Sequence, residues 1–166
     1  MKTDTLATNT ALVPMNPTPP SNVPYLLGDI GGTNARWAWQ ASPHGAVEHI
    51  AVVPCGESVS LVDSARAYMQ ARNLPTPHSA GIGIATAVTG DVVRMTNHSW
   101  SFSIKELTAQ LGLQRCLVIN DFTALALSLP ALGAGDLRAL GGGQAVPHAP
   151  LALLGPGTGL GVSGVV

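Results

Sequence analysis

The chain has 166 residues, of which 46% are apolar and only 10% are charged, a balance that favours a packed interior over disorder. The net charge of -1 provides no basic surface for nucleic acid or anionic lipid, so a small molecule or another protein is the expected partner. No apolar run approaches the roughly 20 residues that a membrane helix requires, so we expect no membrane span and a cytoplasmic protein.

The N-terminal 24 residues, rich in Thr, Asn and Pro, predict a flexible tail because they can bury little apolar surface. Three strands are predicted next, at about 25–28, 34–40 and 47–53. The middle strand alternates, which places Trp37 and Trp39 on one face. That face is predicted to lie in the core.

Two capping boxes predict the starts of two helices. Ser60 and Asp63 form the first box, and apolar residues at helical spacing follow it. Ser103 and Glu106 form the second box, before a helix that Gly112 can end. Between these helices, "AGIGIATAV" predicts a buried strand and "VVRMT" predicts the strand that returns beside it.

The C-terminal part alternates in the same way. A strand at 115–121 is predicted to precede a helix at 122–129, which Pro130 ends. After a glycine-rich linker comes a final hairpin, "LALLGPGTGLGVSGVV", for which no packing partner is expected. Three strands followed by alternating helices and strands indicate an α/β fold, a mixed sheet with flanking helices. The predicted organisation is a tail at 1–24, a first domain at 25–149 and the start of a second at 150–166.

The turn "GDIGGT" has two interpretations. Its glycines and backbone N–H groups suit a phosphate, although a tight hairpin explains them equally well. Asp29 favours the first interpretation, because a carboxylate beside a phosphate repels it unless a cation such as Mg²⁺ lies between them.

A second glycine-rich turn, "GPGTGLG", follows the predicted strand at Leu151. It is either a second phosphate loop or a flexible turn. The spacing of Gly159, Gly161 and Gly164 matches the dinucleotide fingerprint, but a strand is predicted where that motif needs a helix. No Gly-Lys-Ser/Thr element is present, which excludes a Walker-type loop.

Asn120 and Asp121 stand where a predicted strand meets a predicted helix. Both residue types are preferred helix caps, and this is the simpler interpretation. A carboxylate at a strand's C-terminal end can also accept a hydroxyl proton during phosphoryl transfer. The loop "TNHSWSF" at 96–102 is either a polar turn with one buried aromatic or a lining of a sugar pocket.

The cysteines and histidines predict no metal cage. Cys55 and Cys116 match no metal or redox spacing, and the five histidines are scattered. Buried thiols in a reducing compartment are the expected state.

Four segments in order, "LLGDIGGTNARWA", "MTNHSWSFS", "VINDFTALALSLP" and "LLGPGTGLGVS", resemble bacterial glucokinase of the hexokinase–actin–chaperone ATPase superfamily. The resemblance runs from about Tyr25 to the last residue. It implies a ribonuclease H-like (actin-like ATPase) fold and ATP-dependent, Mg²⁺-assisted phosphorylation of glucose to glucose 6-phosphate, the first step of glycolysis. It also implies a homodimer for the full-length protein.

The resemblance implies roles for individual residues. Asp29 would assist Mg²⁺, Asn120 would hydrogen-bond a sugar hydroxyl, and Asp121 would be the base that takes the proton of the glucose 6-hydroxyl. The nucleotide would contact two loops, formed by Gly28, Asp29, Ile30, Gly31, Gly32 and Thr33 and by Gly157, Thr158 and Gly159.

A complete glucokinase continues beyond the last residue of this chain. The remaining sugar-site residues and the adenosine pocket have no counterpart here, so the resemblance implies an N-terminal part that is inactive or nearly so by itself. Two alternatives stay open: a non-catalytic sugar- or nucleotide-sensing module on the same fold, and a kinase for another hexose or phosphoryl donor. The retained acid at Asp121 favours a kinase over a sensor.

Overall fold

The computed structural model describes residues 22–144, 146–156 and 160–165. The helices are α1 (Leu61–Gln70), α2 (Ile104–Gln110) and α3 (Asp121–Ser128). The strands are β1 (Tyr25–Ile30), β2 (Asn34–Gln40), β3 (Val47–Pro54), β4 (Ser79–Ile84), β5 (Val92–Arg94), β6 (Ser101–Ser103), β7 (Arg115–Asn120), β8 (Leu151–Pro156) and β9 (Leu160–Val165). No helix among these residues is long and apolar enough to cross a membrane.

A five-stranded mixed sheet organises the fold, in the order β3-β2-β1-β4-β7. The first three strands are antiparallel neighbours, whereas β4 and β7 run parallel to β1. Parallel neighbours need long crossovers, and these contain α1 and α2. The parallel strands therefore bring the C-terminal ends of β1, β4 and β7 to one edge of the sheet.

The pairing of β5 differs from the prediction. The sequence predicted that 92–96 returns beside the buried strand at 80–88, but β4 pairs with β1 and β7. β5 pairs instead with β6 in a separate two-stranded sheet. The apolar run of β4 is typical of a strand that is buried between two parallel neighbours. Such a run shows that a strand is buried but does not show which strands pair with it.

The core is formed by buried side chains of the sheet, α1 and α2. Trp37 and Trp39 are buried, as the alternation in β2 predicted. The indole N–H of Trp37 donates to Ser64 Oγ of α1 at 3.0 Å, and its ring lies 6.3 Å from that of Tyr68. These contacts fix α1 on the sheet while satisfying the one polar atom of the indole.

The predicted helix caps are confirmed. Ser60 Oγ accepts the N–H of Asp63 at 3.1 Å, and Ser103 Oγ accepts that of Glu106 at 3.2 Å. Gly112, just beyond α2, has a φ of 67°, the left-handed conformation that ends many helices. These signals were readable because each involves residues only a few positions apart.

The hairpin of β8 and β9 packs against α3, so the expectation that it has no packing partner is wrong. The aromatic ring of Phe122 lies against Gly155 in β8 and Gly161 in β9. The contact joins residues more than thirty positions apart, and nothing in the local pattern indicated it.

Asp91 links the β5–β6 sheet to the start of α2. Its Oδ2 accepts the Ser103 hydroxyl at 2.6 Å and its Oδ1 accepts the Lys105 N–H at 3.0 Å. These bonds, that from Ser103 first, lower the pKa of the Asp91 carboxyl below its ordinary value. A carboxyl with a lowered pKa in the folded state stabilises the fold above its unfolded-state pKa, and this stabilisation is lost as the pH falls through the folded-state pKa.

We therefore expect Asp91→Asn to lower the free energy of unfolding at pH 7, because it removes the charge that both donors favour. The difference from the unsubstituted protein should shrink as the pH falls below about 4, near the ordinary aspartate pKa. Urea unfolding at a series of pH values measures this. A deficit that is constant with pH would contradict the assignment.

Candidate active site

The turn between β1 and β2 contains Gly31, Gly32 and Thr33 only. Gly28, Asp29 and Ile30 were expected in the same loop, but they belong to β1. The Gly31 N–H donates to Asn34 O at 2.9 Å and is used within the hairpin. In the part of the chain that the structure describes, the N–H groups of Gly32 and Thr33 have no backbone partner in the turn and can face a ligand.

Cys55 supports this turn from the protein interior. Its backbone N–H donates to Thr33 O at 2.8 Å, and its thiol donates to Gly31 O at 3.4 Å. Burial raises the pKa of the Cys55 thiol and raises that of Cys116 to about 11, so both stay protonated at neutral pH. Both are free cysteines.

Gly28 is required by packing. A β carbon at this position would lie 2.8 Å from Cζ3 of Trp37, the residue paired with it across the hairpin. The indole crosses the backbone of β1 and needs a hydrogen there. The buried ring thus accounts for Gly28 without any ligand.

Asp29 points to the other face of the sheet, away from the core. Its Oδ2 accepts Nη1 of Arg36 at 2.6 Å, and the two residues are directly paired between β1 and β2. Their side chains are 58% and 56% exposed, respectively. The carboxylate is therefore accessible to a ligand. Exposed pairs of this kind contribute about 0–1 kcal/mol to stability, so the ion pair alone does not explain why an acid stands at this position.

Asn120 and Asp121 form a closed hydrogen-bond arrangement at the start of α3. Asn120 is the N-cap, because its Oδ1 accepts the Thr123 N–H at 3.2 Å. Its Nδ2 donates to Thr86 O at 3.3 Å and to Asp121 Oδ1 at 2.8 Å. The Phe122 N–H also donates to Asp121 Oδ1, at 2.9 Å. Within the described residues no partner reaches Asp121 Oδ2, so that oxygen is available to a substrate proton.

Asp29 and Asp121 line one cleft. Asp29 is paired with Gly83 of the neighbouring strand β4, and a β carbon on Gly83 would lie 3.6 Å from Cα of Asp121. The small residue lets α3 approach the sheet closely, and this places Asp121 beside Asp29. The cleft has a volume of about 390 Å³ and is lined by Gly28, Asp29, Gly83, Asp121, Phe122, Ala124, Leu125 and Ser128.

The second predicted loop lies outside the described residues. Gly157, Thr158 and Gly159 connect β8 to β9 in the sequence, and their assignment to a phosphate stays a prediction. The flanking strands pair in register up to Pro156 and Leu160. A strand begins at Leu160, and this excludes the dinucleotide fingerprint, since that motif requires a helix there.

The loop at 96–102 contains the buried aromatic of the first interpretation, and it also lies beside the glycine-rich turn. Trp100 is buried, and its indole N–H donates to Ser58 O at 3.3 Å, as a structural aromatic would. Asn97, however, lies against Gly32, so the loop borders the β1–β2 turn. A sugar-binding role for this loop is not tested by these contacts.

The acids present suit a magnesium ion that a nucleotide brings with it. Among the described residues, no three His, Cys, Asp or Glu side chains gather to form a metal site. Mg²⁺ commonly uses one or two carboxylates together with phosphate oxygens and water, so a single exposed carboxylate in a cleft is sufficient. Asp29 is the exposed carboxylate of this cleft and could serve in that way.

Three residues of the site were not identified from the sequence. Arg36 pairs with Asp29 because the two lie opposite each other in the hairpin, a relation readable once the turn is placed. Thr86 accepts from Asn120, and Phe122 reaches the final hairpin. These two depend on long-range packing and had no local signal.

Gly32→Ala tests whether the turn binds nucleotide. Its β carbon would lie 2.8 Å from Cβ of Asn97 and 3.1 Å from Asn97 O, so the turn must move. Overpacking of this kind typically costs about 1–3 kcal/mol, and we expect MgADP affinity to fall by about tenfold or more. Isothermal titration of the whole protein measures this.

Gly90→Ala is the matched control, since nothing lies within 4 Å of its added methyl group. We expect this variant to bind MgADP like the unsubstituted protein. Equal affinity in all three proteins would remove the turn from the nucleotide site.

The comparisons with known proteins agree on one family. The family model described as Glucokinase matches residues 26–166. A curated glucokinase from Aromatoleum aromaticum is 53% identical over 144 residues, which is 86% of this chain and 44% of that protein. A second, from Cupriavidus pinatubonensis, is 50% identical over 145 residues, 86% of this chain and 42% of that protein. The chain thus spans less than half the length of these relatives.

Solved structures support the same fold. A glucokinase from an Antarctic psychrotroph superposes with a TM-score of 0.78 at 32% identity, covering 86% of this chain and 46% of that one. The mixed α/β architecture of an actin-like ATPase sugar kinase, predicted from the sequence, is thereby confirmed. The division into domains at residues 24 and 149 stays a prediction.

Proposed function

The chain belongs to the glucokinase family, and from this premise we propose that the whole protein transfers the γ-phosphoryl group of ATP to the 6-hydroxyl of glucose. The observation that supports this is the cleft that Asp29 and Asp121 line together. Phosphoryl transfer needs a carboxylate that accepts the hydroxyl proton and a second group that helps to neutralise phosphate charge. The two acids have separate surroundings suited to these two tasks.

Asp121 is the proposed catalytic base. Two N–H donors hold its Oδ1, which leaves Oδ2 to accept the proton of the incoming hydroxyl. An aspartate carboxylate is a weak base towards an alcohol. It can act because a loose, metaphosphate-like transition state requires proton removal late and correct positioning throughout.

Asn120 is proposed to orient the sugar. Both N–H bonds of its amide are used, to Thr86 O and Asp121 Oδ1, so its remaining capacity is as an acceptor at Oδ1. A sugar hydroxyl would therefore donate to Asn120. This direction of the hydrogen bond follows from the geometry of the N-cap. The sequence indicated a cap here but not the direction of a bond to the sugar.

The phosphates are proposed to lie between the β1–β2 turn and the turn at 157–159. The free N–H groups of Gly32 and Thr33 would donate to phosphate oxygens. Bound Mg²⁺ would neutralise phosphate charge, and Asp29 would help to hold it. A cleft open on one side excludes water poorly, so we propose that the 166-residue chain by itself is inactive or nearly so.

Two free, protonated thiols fit a reducing compartment, which supports a cytoplasmic location for the proposed reaction. A homodimer of the whole protein, expected from the resemblance, stays a prediction.

The proposed function is tested by supplying the whole protein with Mg²⁺, ATP and glucose and measuring glucose 6-phosphate. We expect turnover within about 1–100 per second, the usual range of kinases. Other hexoses, N-acylated hexosamines and polyphosphate as donor should be used more slowly. Binding of glucose or MgADP without any phosphorylation would identify a sensing module and overturn the proposal.

A further inference from the structure

Thr86 contacts the start of α3 from just beyond the end of β4. Its carbonyl oxygen accepts one N–H of the Asn120 amide at 3.3 Å. The same Nδ2 donates to Oδ1 of Asp121, the proposed base, at 2.8 Å. Thr86 is not among the described residues that line the cleft, so an influence of Thr86 on the reaction must pass through Asn120.

The amide of Asn120 depends on its partners for its orientation. The terminal torsion of an asparagine side chain is broad, so hydrogen bonds decide which way the amide faces. Thr86 O can only accept, whereas the Thr123 N–H can only donate and does so to Oδ1 at 3.2 Å. A reversed amide would place Oδ1 against Thr86 O and against Asp121 Oδ1, both of which are acceptors. Thr86 O therefore helps to select the orientation in which an N–H reaches Asp121.

A hydroxyl bond holds Thr86 where the chain leaves the five-stranded sheet. β4 ends at Ile84, and the Thr86 hydroxyl donates to Arg94 O of β5 at 3.0 Å. The Thr96 hydroxyl lies 3.1 Å from the same oxygen. Since a hydroxyl has one hydrogen and that of Thr86 goes to Arg94 O, Thr96 is the donor of this second bond. The Thr86 side chain thus links the β5–β6 sheet to the point from which its own carbonyl orients Asn120.

We propose that Thr86 is a positioning residue for the proposed base: its hydroxyl fixes the carbonyl that orients Asn120, and Asn120 in turn holds Oδ1 of Asp121. The inference rests on the proposed function, because it takes Asp121 as the base. The carboxylate torsion of an aspartate is also broad, so the bonds to Oδ1 determine where Oδ2 lies. A displacement of about 1 Å in a reacting group can cost on the order of 10²-fold in rate.

Thr86→Val in the whole protein tests the inference. The substitution removes the hydroxyl and keeps the branched side chain and the carbonyl. We expect kcat for glucose phosphorylation to fall by about tenfold, with the KM for MgATP changed by less than about twofold. Thr86→Ser returns the hydroxyl and should restore kcat to within about twofold of the unsubstituted protein.

A double-mutant cycle with Asp121→Asn separates positioning from a purely structural role. In the Asp121→Asn background, Thr86→Val should cost less than about twofold in kcat, because the group that Thr86 positions no longer takes a proton. A hydroxyl that serves only the fold would lower kcat by the same factor in both backgrounds.

Thr108→Val is the matched control. Its hydroxyl also donates to a backbone carbonyl, Ile104 O at 2.6 Å, and Thr108 is half-buried like Thr86, but this bond lies within α2 and outside the cleft. Its kcat should equal that of the unsubstituted protein. Thr86→Ala, which also lacks the hydroxyl, replaces Thr86→Val in the cycle if the valine variant fails to fold, and the same results are expected of it.

Thermal unfolding and MgADP titration of the same preparations establish that each variant is folded and binds nucleotide. Coupling between Thr86 and Asp121 in kcat, together with rescue by Thr86→Ser, supports the proposal. Equal factors in both backgrounds, or a kcat of Thr86→Val equal to that of Thr108→Val, would overturn it. An unsubstituted protein that does not phosphorylate glucose would overturn the proposed function and this inference with it, whereas an active protein with an additive cycle would overturn only the positioning role.

Discussion

Asp121→Asn in the whole protein is expected to lower kcat for glucose phosphorylation by on the order of 10²- to 10⁴-fold, the usual contribution of a positioned general base. The substitution is nearly isosteric, and an asparagine Oδ1 can still accept the N–H groups of Asn120 and Phe122. What it removes is the ability of the second oxygen to take a proton. MgADP affinity should change much less, because the phosphates are assigned to other residues.

The folded state should tolerate this change. Asp121 is the first residue of α3, where a negative charge contributes about 0.3–1 kcal/mol through the helix dipole. A larger loss of stability would indicate that the carboxylate is structural. Steady-state kinetics, MgADP titration and thermal unfolding of the same preparation separate these effects.

Asp136→Asn is the matched control for this experiment. Asp136 Oδ2 also accepts a backbone N–H, that of Gly133 at 2.9 Å, but the residue lies in the exposed linker outside the cleft. Its substitution should leave kcat unchanged. An Asp121→Asn protein with the kcat of this control would show that Asp121 acts only as a helix-start residue.

The parts of the fold that sequence predicted correctly depend on local chemistry. Ser60, Ser103 and Gly112 mark helix ends through bonds and dihedrals within a few residues, and the alternation in β2 fixes the burial of its tryptophans. The strand order depends on pairings between distant segments, which is why the partner of β5 was predicted wrongly.

The residues of the candidate site show the same difference between local signals and long-range contacts. Asp29, Asn120 and Asp121 were identified because each ends or adjoins a strand and because their motifs resemble a known family. The boundary of the first loop was misplaced, since Asp29 lies within β1 and its carboxylate reaches the cleft from a strand. A strand residue is held more rigidly than a loop residue, which suits a group that must meet a cation at a fixed place.

Asp29→Asn is expected to raise the Mg²⁺ concentration needed for half-maximal activity by about 10- to 100-fold or more, since even outer partners of a bound metal have effects of this size. Stability should change by at most about 1 kcal/mol, because the ion pair that is lost is exposed. Together, a large change in Mg²⁺ dependence and a small change in stability would assign the carboxylate to ligand binding. Activity measured across a Mg²⁺ titration, with urea unfolding in parallel, provides both quantities.

Two further variants exclude indirect explanations of that result. Arg36→Gln breaks the same ion pair while keeping the carboxylate, so the Mg²⁺ dependence should stay close to that of the unsubstituted protein if Asp29 acts on the cation. Glu48→Gln removes an exposed acid from β3, at the far edge of the same sheet, and controls for the change in net charge. Mg²⁺ curves for Asp29→Asn that superimpose on those of Glu48→Gln would contradict the metal role. If the Mg²⁺ curves of Asp29→Asn and Arg36→Gln shift equally, the role belongs to the ion pair and not to the carboxylate alone. Loss of this ion pair is the change that the two variants share.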